Sequence, residues 1–270
     1  ILTALAWAAV APLVLLGRDN ILSQAQEDAK KDCGFIGFFC LLFQTLVRKT
    51  VFLAFTLSFV VCVVPSIDTF LFRHYVLGVP DSQQPVIAVA GTLGWSSGTF
   101  LYTYYLSKKK DGDMDDTISA SLKRIGASLK RCLLVWCLAS SVSICFAEFS
   151  RTAPFVLAFA MLEKAACEFG KALTFMPTTQ LQQVLATEGL EGTAFTIMQL
   201  GGTLGMLFSR NLDWELMSWF SVDVNLGATG FDNYTMVVVA AAGLRLCAAL
   251  VIALVFVPFL ERLQISAQSA

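Results

Sequence analysis

Charged side chains are scarce in this 270-residue sequence, at 14% of all residues, and histidine occurs only once, as His74. The eight cysteines lie in apolar stretches and include no CxxC pair, so neither a zinc site nor a disulfide framework is indicated. The sequence has no Walker loop, HExxH, GxSxG or Ser/His/Asp arrangement, and it therefore does not support an enzyme. The net charge of −1 excludes the basic excess typical of nucleic-acid binding, and no cofactor or metal is expected.

Long apolar stretches are the dominant feature of the chain. Apolar residues make up 56% of it and the mean hydropathy is +0.69, both above the averages of soluble domains. A helix needs about 20 apolar residues to cross a bilayer, because the hydrocarbon core is roughly 30 Å thick and each residue rises about 1.5 Å. Seven stretches are counted, the first as the end of a longer helix, and no ten-residue alternation typical of a membrane barrel occurs. The predicted fold is therefore all-α, a polytopic membrane bundle. These stretches are 1–16, 51–77, 85–106, 132–149, 153–176, 190–208 or beyond, and 234–260.

Basic residues are concentrated on one side of the predicted membrane. Two connectors, 18–49 and 108–131, contain most of them, whereas the opposite side has only Arg73, Arg151 and Arg210. The positive-inside rule therefore makes these two connectors cytosolic, or stromal in an organelle. Within the first connector a charged half precedes an apolar half that is too short to cross, which predicts an amphipathic helix at the membrane surface.

The fifth apolar stretch contains four ionisable residues, Glu163, Lys164, Glu168 and Lys171. Each costs about 2.5 to 3.5 kcal/mol at the centre of a membrane helix, so its presence requires a reason. Lys164, Glu168 and Lys171 stand at i, i+4 and i+7 on one stripe, where the carboxylate can pair with either ammonium. The stripe is either an ion-pair ladder that fastens two helices or part of a substrate or proton site.

Helix-breaking and polar residues also occur in other predicted spans. Pro65 leaves the Val61 carbonyl without its helical partner, so a bend is expected there, and Asp68 lies about one turn further on at a costly depth. Arg73 is expected to extend to the membrane interface. Pro177 in the fifth stretch is typical of the broken or flexible helices of transporters.

Arg245 lies in the middle of the last apolar stretch and has no acidic residue on its own helix. Its partner must therefore come from another helix or from a ligand. Gln199 in the sixth stretch is a neutral polar residue that is expected to face the same interior. Glu188 and Glu191 begin the sixth stretch, where negative charge favours the helix dipole and predicts a capping role.

Glycines form small faces on two predicted helices. Gly91, Gly94 and Gly98 recur at i, i+3 and i+7 in the third stretch, and Gly201 and Gly202 lie together in the sixth. Small faces let helix backbones approach closely in lipid. The two interpretations are packing alone and helices that slide during transport.

Three motifs in the second half of the chain carry a family resemblance. The sequence EKAACEFGKALTFMP begins at Glu163, EGLEGTAF at Glu188 and GGTLG at Gly201. This combination resembles the folate/biopterin transporter family of the major facilitator superfamily, which has F-M-P in its tenth helix, E-G-[VL]-E-x-T-x-F opening its eleventh, and a glycine pair within it. VPSIDTFLF at 64–72 is similar to the family's seventh helix. The matching residues are Phe175, Met176 and Pro177; Glu188, Gly189, Leu190, Glu191, Thr193 and Phe195; and Gly201 and Gly202.

The resemblance implies a domain organisation and a function. It implies a secondary active transporter of folates or related pterins that works by alternating access with proton coupling, in the plasma membrane or a plastid membrane. Its partners would be the bilayer, a missing N-terminal six-helix half and a folate or pterin molecule. The chain would supply helices six to twelve: residues 1–17 end a transmembrane helix of the N-terminal half, 18–47 form a cytosolic connector with an amphipathic helix, 48–262 form the C-terminal six-helix transmembrane bundle, and 263–270 are a tail.

Candidate site residues follow from the chemistry of such ligands. The aminopyrimidine edge of a pterin suits a carboxylate, and the glutamate tail of a folate suits a cation. The alternative function is a non-transporting structural or assembly subunit of a larger membrane complex, and a third is transport of another organic anion. The expected substrate-binding residues are Asp68, Glu168, Lys171, Gln199 and Arg245. The expected structural or gating residues are Pro65, Lys164, Pro177, Glu188, Glu191, Gly201 and Gly202.

Overall fold

The computed structural model describes residues 49–65, 67, 69–106, 118–152, 155–185 and 191–260, with the side chains of 49–50, 118–119 and 191–194 excepted. Across these ranges there are seven α-helices and no β-strand, so the all-α prediction is confirmed for this part of the chain. The predicted span at 1–16, the connector at 18–47 and the tail at 263–270 lie outside it. The helices are α1 (Lys49–Val63), α2 (Thr69–Tyr75), α3 (Gln84–Leu101), α4 (Ile118–Phe149), α5 (Val156–Leu185), α6 (Glu191–Trp219) and α7 (Tyr234–Val251).

Four short segments complete the described architecture, and the first is a 3₁₀ turn, Asp81–Gln83, directly before α3. π-helical turns at Tyr102–Leu106 and Ile252–Phe256 extend α3 and α7. An irregular 3₁₀ segment, Val224–Phe231, connects α6 to α7. The boundaries differ from the predicted stretches mainly at α4 and α5, which have 32 and 30 residues.

The predicted span 51–77 is divided into two helices, which corrects the expectation of one continuous span with a bend. The backbone leaves the helical conformation at Val64 and Pro65, because proline has no N–H and its ring clashes with the preceding turn. Ser209 of α6 donates a hydrogen bond to the Val64 carbonyl at 3.0 Å, and Arg245 of α7 donates to the Pro65 carbonyl at 3.2 Å. The freed carbonyls are thus satisfied by neighbouring helices, as irregular backbone in an apolar bundle requires.

Glycines form two close contacts between helix backbones. A Cβ at Gly94 of α3 would collide with the Ala165 carbonyl of α5, and a Cβ at Gly201 of α6 would collide with the Phe55 carbonyl of α1. Gly202, in contrast, has ordinary van der Waals space. Helix α3 therefore packs closely on α5, and α1 packs closely on α6.

The apolar core consists of two large clusters at opposite ends of the bundle. The first contains residues of α1, α4, α5, α6 and the end of α7, and the second surrounds a group of aromatic rings that includes Phe72 and Tyr234. Along α4 the first cluster ends at Trp136 and the buried part of the second begins at Phe146. The middle of α4, between these two residues, therefore contributes no buried residue to either apolar cluster.

Two of the described helices are long and apolar enough to span a membrane, Ala120–Phe149 and Tyr234–Leu260. Helix α1 has only 15 residues because of the break that follows it, and α5 carries four ionisable residues in its interior. The six-helix transmembrane arrangement of 48–262 therefore stays a prediction. Large apolar side chains are nevertheless exposed on several helices, for example Leu254 with 71% of its surface accessible.

Candidate functional site

A cavity of about 450 Å³ lies between the two apolar clusters, beside Ser140 and Ser143 in the middle of α4. Side chains of α2, α4, α5, α6 and α7 line it. Of the five predicted substrate-binding residues, Lys171 and Arg245 are among the lining. Its charged lining residues are Glu163, Lys164, Lys171, Arg210, Asp213 and Arg245.

Glu163 is the centre of a buried polar cluster at this cavity and is only 3% exposed. Its Oε1 accepts hydrogen bonds from Ser143 Oγ at 3.1 Å and Cys167 Sγ at 3.3 Å. Its Oε2 accepts one from Thr69 Oγ1 at 3.4 Å and lies 3.8 Å from Arg73 Nη1, which itself donates to Thr69 Oγ1 at 2.7 Å. Both carboxylate oxygens thus have partners, and the cluster connects α2, α4 and α5.

The position of Arg73 corrects the sequence analysis, which placed it at the membrane interface. Its side chain is 5% exposed and turns inward to Glu163. The expectation was wrong because it considered only the distance of Arg73 from the helix end, whereas a buried carboxylate on another helix offers a charged partner. The sequence did contain a signal for this pairing, because Arg73 and Glu163 are charges of opposite sign on two different predicted spans.

The predicted stripe on α5 is present and faces α3. The Nζ atoms of Lys164 and Lys171 both lie 3.1 Å from the same Oε1 atom of Glu168. The stem of Lys164 packs so closely on Gly91 that a Cβ there would be 3.0 Å from its Cγ. About a third of each lysine side chain is accessible, so these ion pairs are partly screened by solvent.

Arg245 is buried, with 8% exposure; its described hydrogen-bond partners are neutral, and the carboxylates of Glu163 and Asp213 interact with it electrostatically. Nη1 donates to Ser140 Oγ at 2.8 Å and Nη2 donates to the Pro65 carbonyl at 3.2 Å. The guanidinium carbon lies 5.5 Å from the ring centroid of Trp136, a cation–π contact. Its Nε has no hydrogen-bond partner among the described residues.

Gln199 is not brought to the cavity with Lys171 and Arg245. Its Nε2 donates to Gln182 Oε1 at 2.8 Å, and Gln182 Nε2 donates to Ser58 Oγ at 2.7 Å. This chain of side-chain hydrogen bonds links α6 to α5 and α5 to α1. In this structure Gln199 is therefore part of a helix–helix contact.

Of the remaining predicted site residues, the structure describes Pro177 and the backbone of Glu191. Helix α5 continues through Pro177, which is buried, so this proline does not break its helix as Pro65 does. Glu191 begins α6, but its side chain is not described. Asp68 and Glu188 lie outside the described residues.

Within the part of the chain that is described, no group of three or more His, Cys, Asp or Glu residues could hold a metal ion. No protein-family model, curated protein or solved structure matches this chain. The resemblance to the folate/biopterin transporters therefore rests on the motifs alone.

Proposed function

We propose that the protein is a secondary active transporter of folates or related pterins, an integral membrane protein that works by alternating access with proton coupling. In this proposal the chain supplies helices six to twelve, and its six-helix bundle opposes an N-terminal half. The observation that carries the proposal is the charged cavity of about 450 Å³ inside an otherwise apolar bundle.

The size and lining of the cavity support a small-molecule ligand. Binding sites for organic molecules have volumes of about 300 to 1,000 Å³ and combine apolar walls with a few placed polar groups. Here Trp214, Met217 and Val238 accompany the charged side chains. Because charges inside an apolar bundle are costly, their convergence on one cavity favours a functional site.

The outer surface supports a bilayer as the surroundings. Exposed large apolar residues recur on α3 to α7, and monomeric soluble proteins rarely expose contiguous apolar patches of more than a few hundred Å². Examples are Leu93 on α3, Leu134 on α4, Leu162 on α5 and Leu207 on α6. Lipid tails would cover these side chains.

The break at Pro65 also supports a transporter. Substrate sites of many transporters are formed where a membrane helix is discontinuous, because the unwound backbone there offers polar groups. Here the Pro65 carbonyl is already hydrogen-bonded to Arg245, and Ile67 lines the cavity. The break and the charged cavity are thus adjacent.

The test is uptake of labelled folate into vesicles that contain the full-length protein. We expect Glu168→Gln and Lys171→Ala to lower uptake, because both change the charges beside the cavity. Lys123→Gln, an exposed cation of α4 that does not line the cavity, is the control. Unchanged uptake in both α5 variants would remove these residues from the mechanism, and no uptake by the unmodified protein would contradict the transport function.

A structural or assembly subunit is the second candidate. It is favoured by the way Glu168 holds two lysines and Glu163 connects three helices, since such contacts are fasteners in a static bundle. Purification in mild detergent distinguishes the candidates. A chain that always migrates with a large complex and binds no pterin supports the subunit, whereas a separate chain that takes up folate supports the transporter.

A further inference from the structure

One exposed face of α4 changes from cationic to apolar along the helix. Lys123, Lys130 and Arg131 are exposed near its beginning. Leu134 and Leu138 are exposed further along, with 64% and 59% of their surfaces accessible. Their spacings along the sequence place all five side chains on one side of the helix. This order of charges followed by apolar side chains is typical of a helix that enters hydrocarbon from a membrane surface.

Packing on the opposite face determines which side of α4 is outward. Leu122, Ile125 and Leu129 are buried in the first apolar cluster, which also contains the end of α7. A Cβ at Gly126 would lie 3.1 Å from Val257 Cγ1, so the two helices are in close contact there. Because a rotation of α4 would expose these apolar residues, the cationic side chains are held on the outer surface.

The length of α4 beyond Arg131 corresponds to the thickness of a membrane. Residues 132–149 complete the helix and extend about 27 Å at about 1.5 Å per residue. The hydrocarbon core of a bilayer is roughly 30 Å thick. In the bilayer of the proposed function, Lys130 and Arg131 therefore lie at the depth of the lipid phosphates.

Tyrosines at the end of α3 mark the same depth. Tyr102 is buried in one cluster with Cys132, the residue that follows Arg131 on α4. Tyr104 and Tyr105 come directly after it and are 59% and 70% exposed. Tyrosine is enriched at membrane–water interfaces, where its ring contacts apolar groups and its hydroxyl contacts water. Two neighbouring helices thus place the interface at the level of Arg131.

We propose that Lys130 and Arg131 bind the phosphate of an anionic phospholipid, one of whose acyl chains lies along Leu134 and Leu138. An ammonium and a guanidinium side by side suit a phosphate, and the guanidinium can bind it through two nitrogens. The sequence has no acidic residue from 118 to 147, so α4 provides no carboxylate that would repel the lipid. The inference uses the bilayer of the proposed function but not its transport, since this surface does not line the cavity.

The chain itself contains a competing partner for the two cations. The sequence before α4 has four aspartates, which lie outside the described residues: Asp111, Asp113, Asp115 and Asp116. Their charge would suit Lys130 and Arg131, but an acidic segment would leave the adjoining Leu134 and Leu138 uncovered. A phospholipid matches both parts of the face, because it joins a phosphate to an acyl chain.

Native mass spectrometry of the full-length protein in detergent tests the site, because it resolves individual bound lipids. The probes are phosphatidylglycerol and phosphatidylcholine with the same acyl chains. We expect phosphatidylglycerol to bind at least roughly fivefold more tightly. Lys130→Gln and Arg131→Gln should each lower its affinity by about fivefold, which is the effect of one cation near an anionic surface. Phosphatidylcholine binding should change little in both variants.

Matched variants separate this site from a general effect of charge. Arg131→Lys keeps the cation and should retain most of the preference for phosphatidylglycerol. Lys123→Gln removes a cation about 10 Å further along the same face, about one Debye length away, and should lower the affinity by roughly twofold or less. Glu148→Gln, at the other end of α4, should leave it unchanged. Unfolding midpoints check that these exposed substitutions do not affect folding.

Three results would overturn the site. The first is equal affinity for the two lipids, and the second is an equal loss in Lys123→Gln and Arg131→Gln. The third is a preference for phosphatidylglycerol that arises only after the four aspartates are replaced by asparagine, because the acidic segment would then occupy the cations. Folate uptake by a protein without any lipid preference would contradict the lipid site alone, and lipid preference without uptake would contradict the transporter alone.

Discussion

Arg73 of α2 and Glu163 of α5 lie 3.8 Å apart between Nη1 and Oε2, and both side chains are buried. Thr69 bridges them, since its hydroxyl donates to Glu163 and accepts from Arg73. The short helix after the Pro65 break is thereby attached to the charged helix of the bundle. This contact connects the irregular backbone to the cavity wall.

Glu163→Gln should destabilise the protein by about 3 kcal/mol, because it leaves the Arg73 guanidinium buried without a counter-charge. The measurement is the midpoint of thermal unfolding in detergent. Glu148→Gln, at an exposed position on α4, is the matched control and should change stability little. The double variant Glu163→Gln with Arg73→Met should recover part of the loss, and a double variant less stable than either single one would contradict the pairing.

Gly94→Ala and Gly201→Ala should each destabilise the bundle by about 1 to 3 kcal/mol, because the added methyl collides with a backbone carbonyl that cannot move alone. Gly202→Ala is the control, since this neighbouring glycine has room for a Cβ. Unfolding midpoints of the three variants provide the comparison. Equal midpoints for Gly201→Ala and Gly202→Ala would show that α1 and α6 do not pack as described.

Ser140→Ala should lower stability by about 1.5 to 3 kcal/mol, because it removes the hydrogen bond to the buried Arg245 guanidinium. Ser141→Ala changes the adjacent hydroxyl, which is exposed, and should have little effect. The two variants differ by one position and are otherwise the same substitution. Similar unfolding midpoints would mean that Ser140 does not position Arg245.

Gln199→Ala should lower stability by about 1 kcal/mol without changing ligand affinity, because its amide bonds to Gln182 and does not line the cavity. Thermal unfolding and titration with folate on the same preparation separate the two effects. A loss of affinity at unchanged stability would restore the substrate-binding role that the sequence suggested for this residue.

Features within one helix were predictable because helix geometry relates sequence spacing to position. The spacing i, i+4 and i+7 placed Lys164, Glu168 and Lys171 on one stripe, and Glu168 does contact both lysines. Pro65 predicted an irregularity, although the structure has a break where a bend was expected. The glycine faces likewise predicted close helix approach.

Features between helices were not predictable, because they depend on which helices are neighbours and how each is rotated. Arg73 could have faced the interface or the interior, and the choice follows from the position of Glu163 on α5. Gln199 could have faced the cavity, but the rotation of α6 that brings Gly201 against α1 turns it to Gln182.

By itself, the sequence determined that the described chain is helical, where its costly charges lie along each helix, and where proline interrupts one. Only the tertiary structure decided that Glu163 pairs with Arg73, and that Arg245 donates its described hydrogen bonds to the neutral groups of Ser140 and Pro65. The reason is physical: hydrogen-bond partners are satisfied within a helix by local geometry, but the neutralisation of a buried side-chain charge depends on packing between helices.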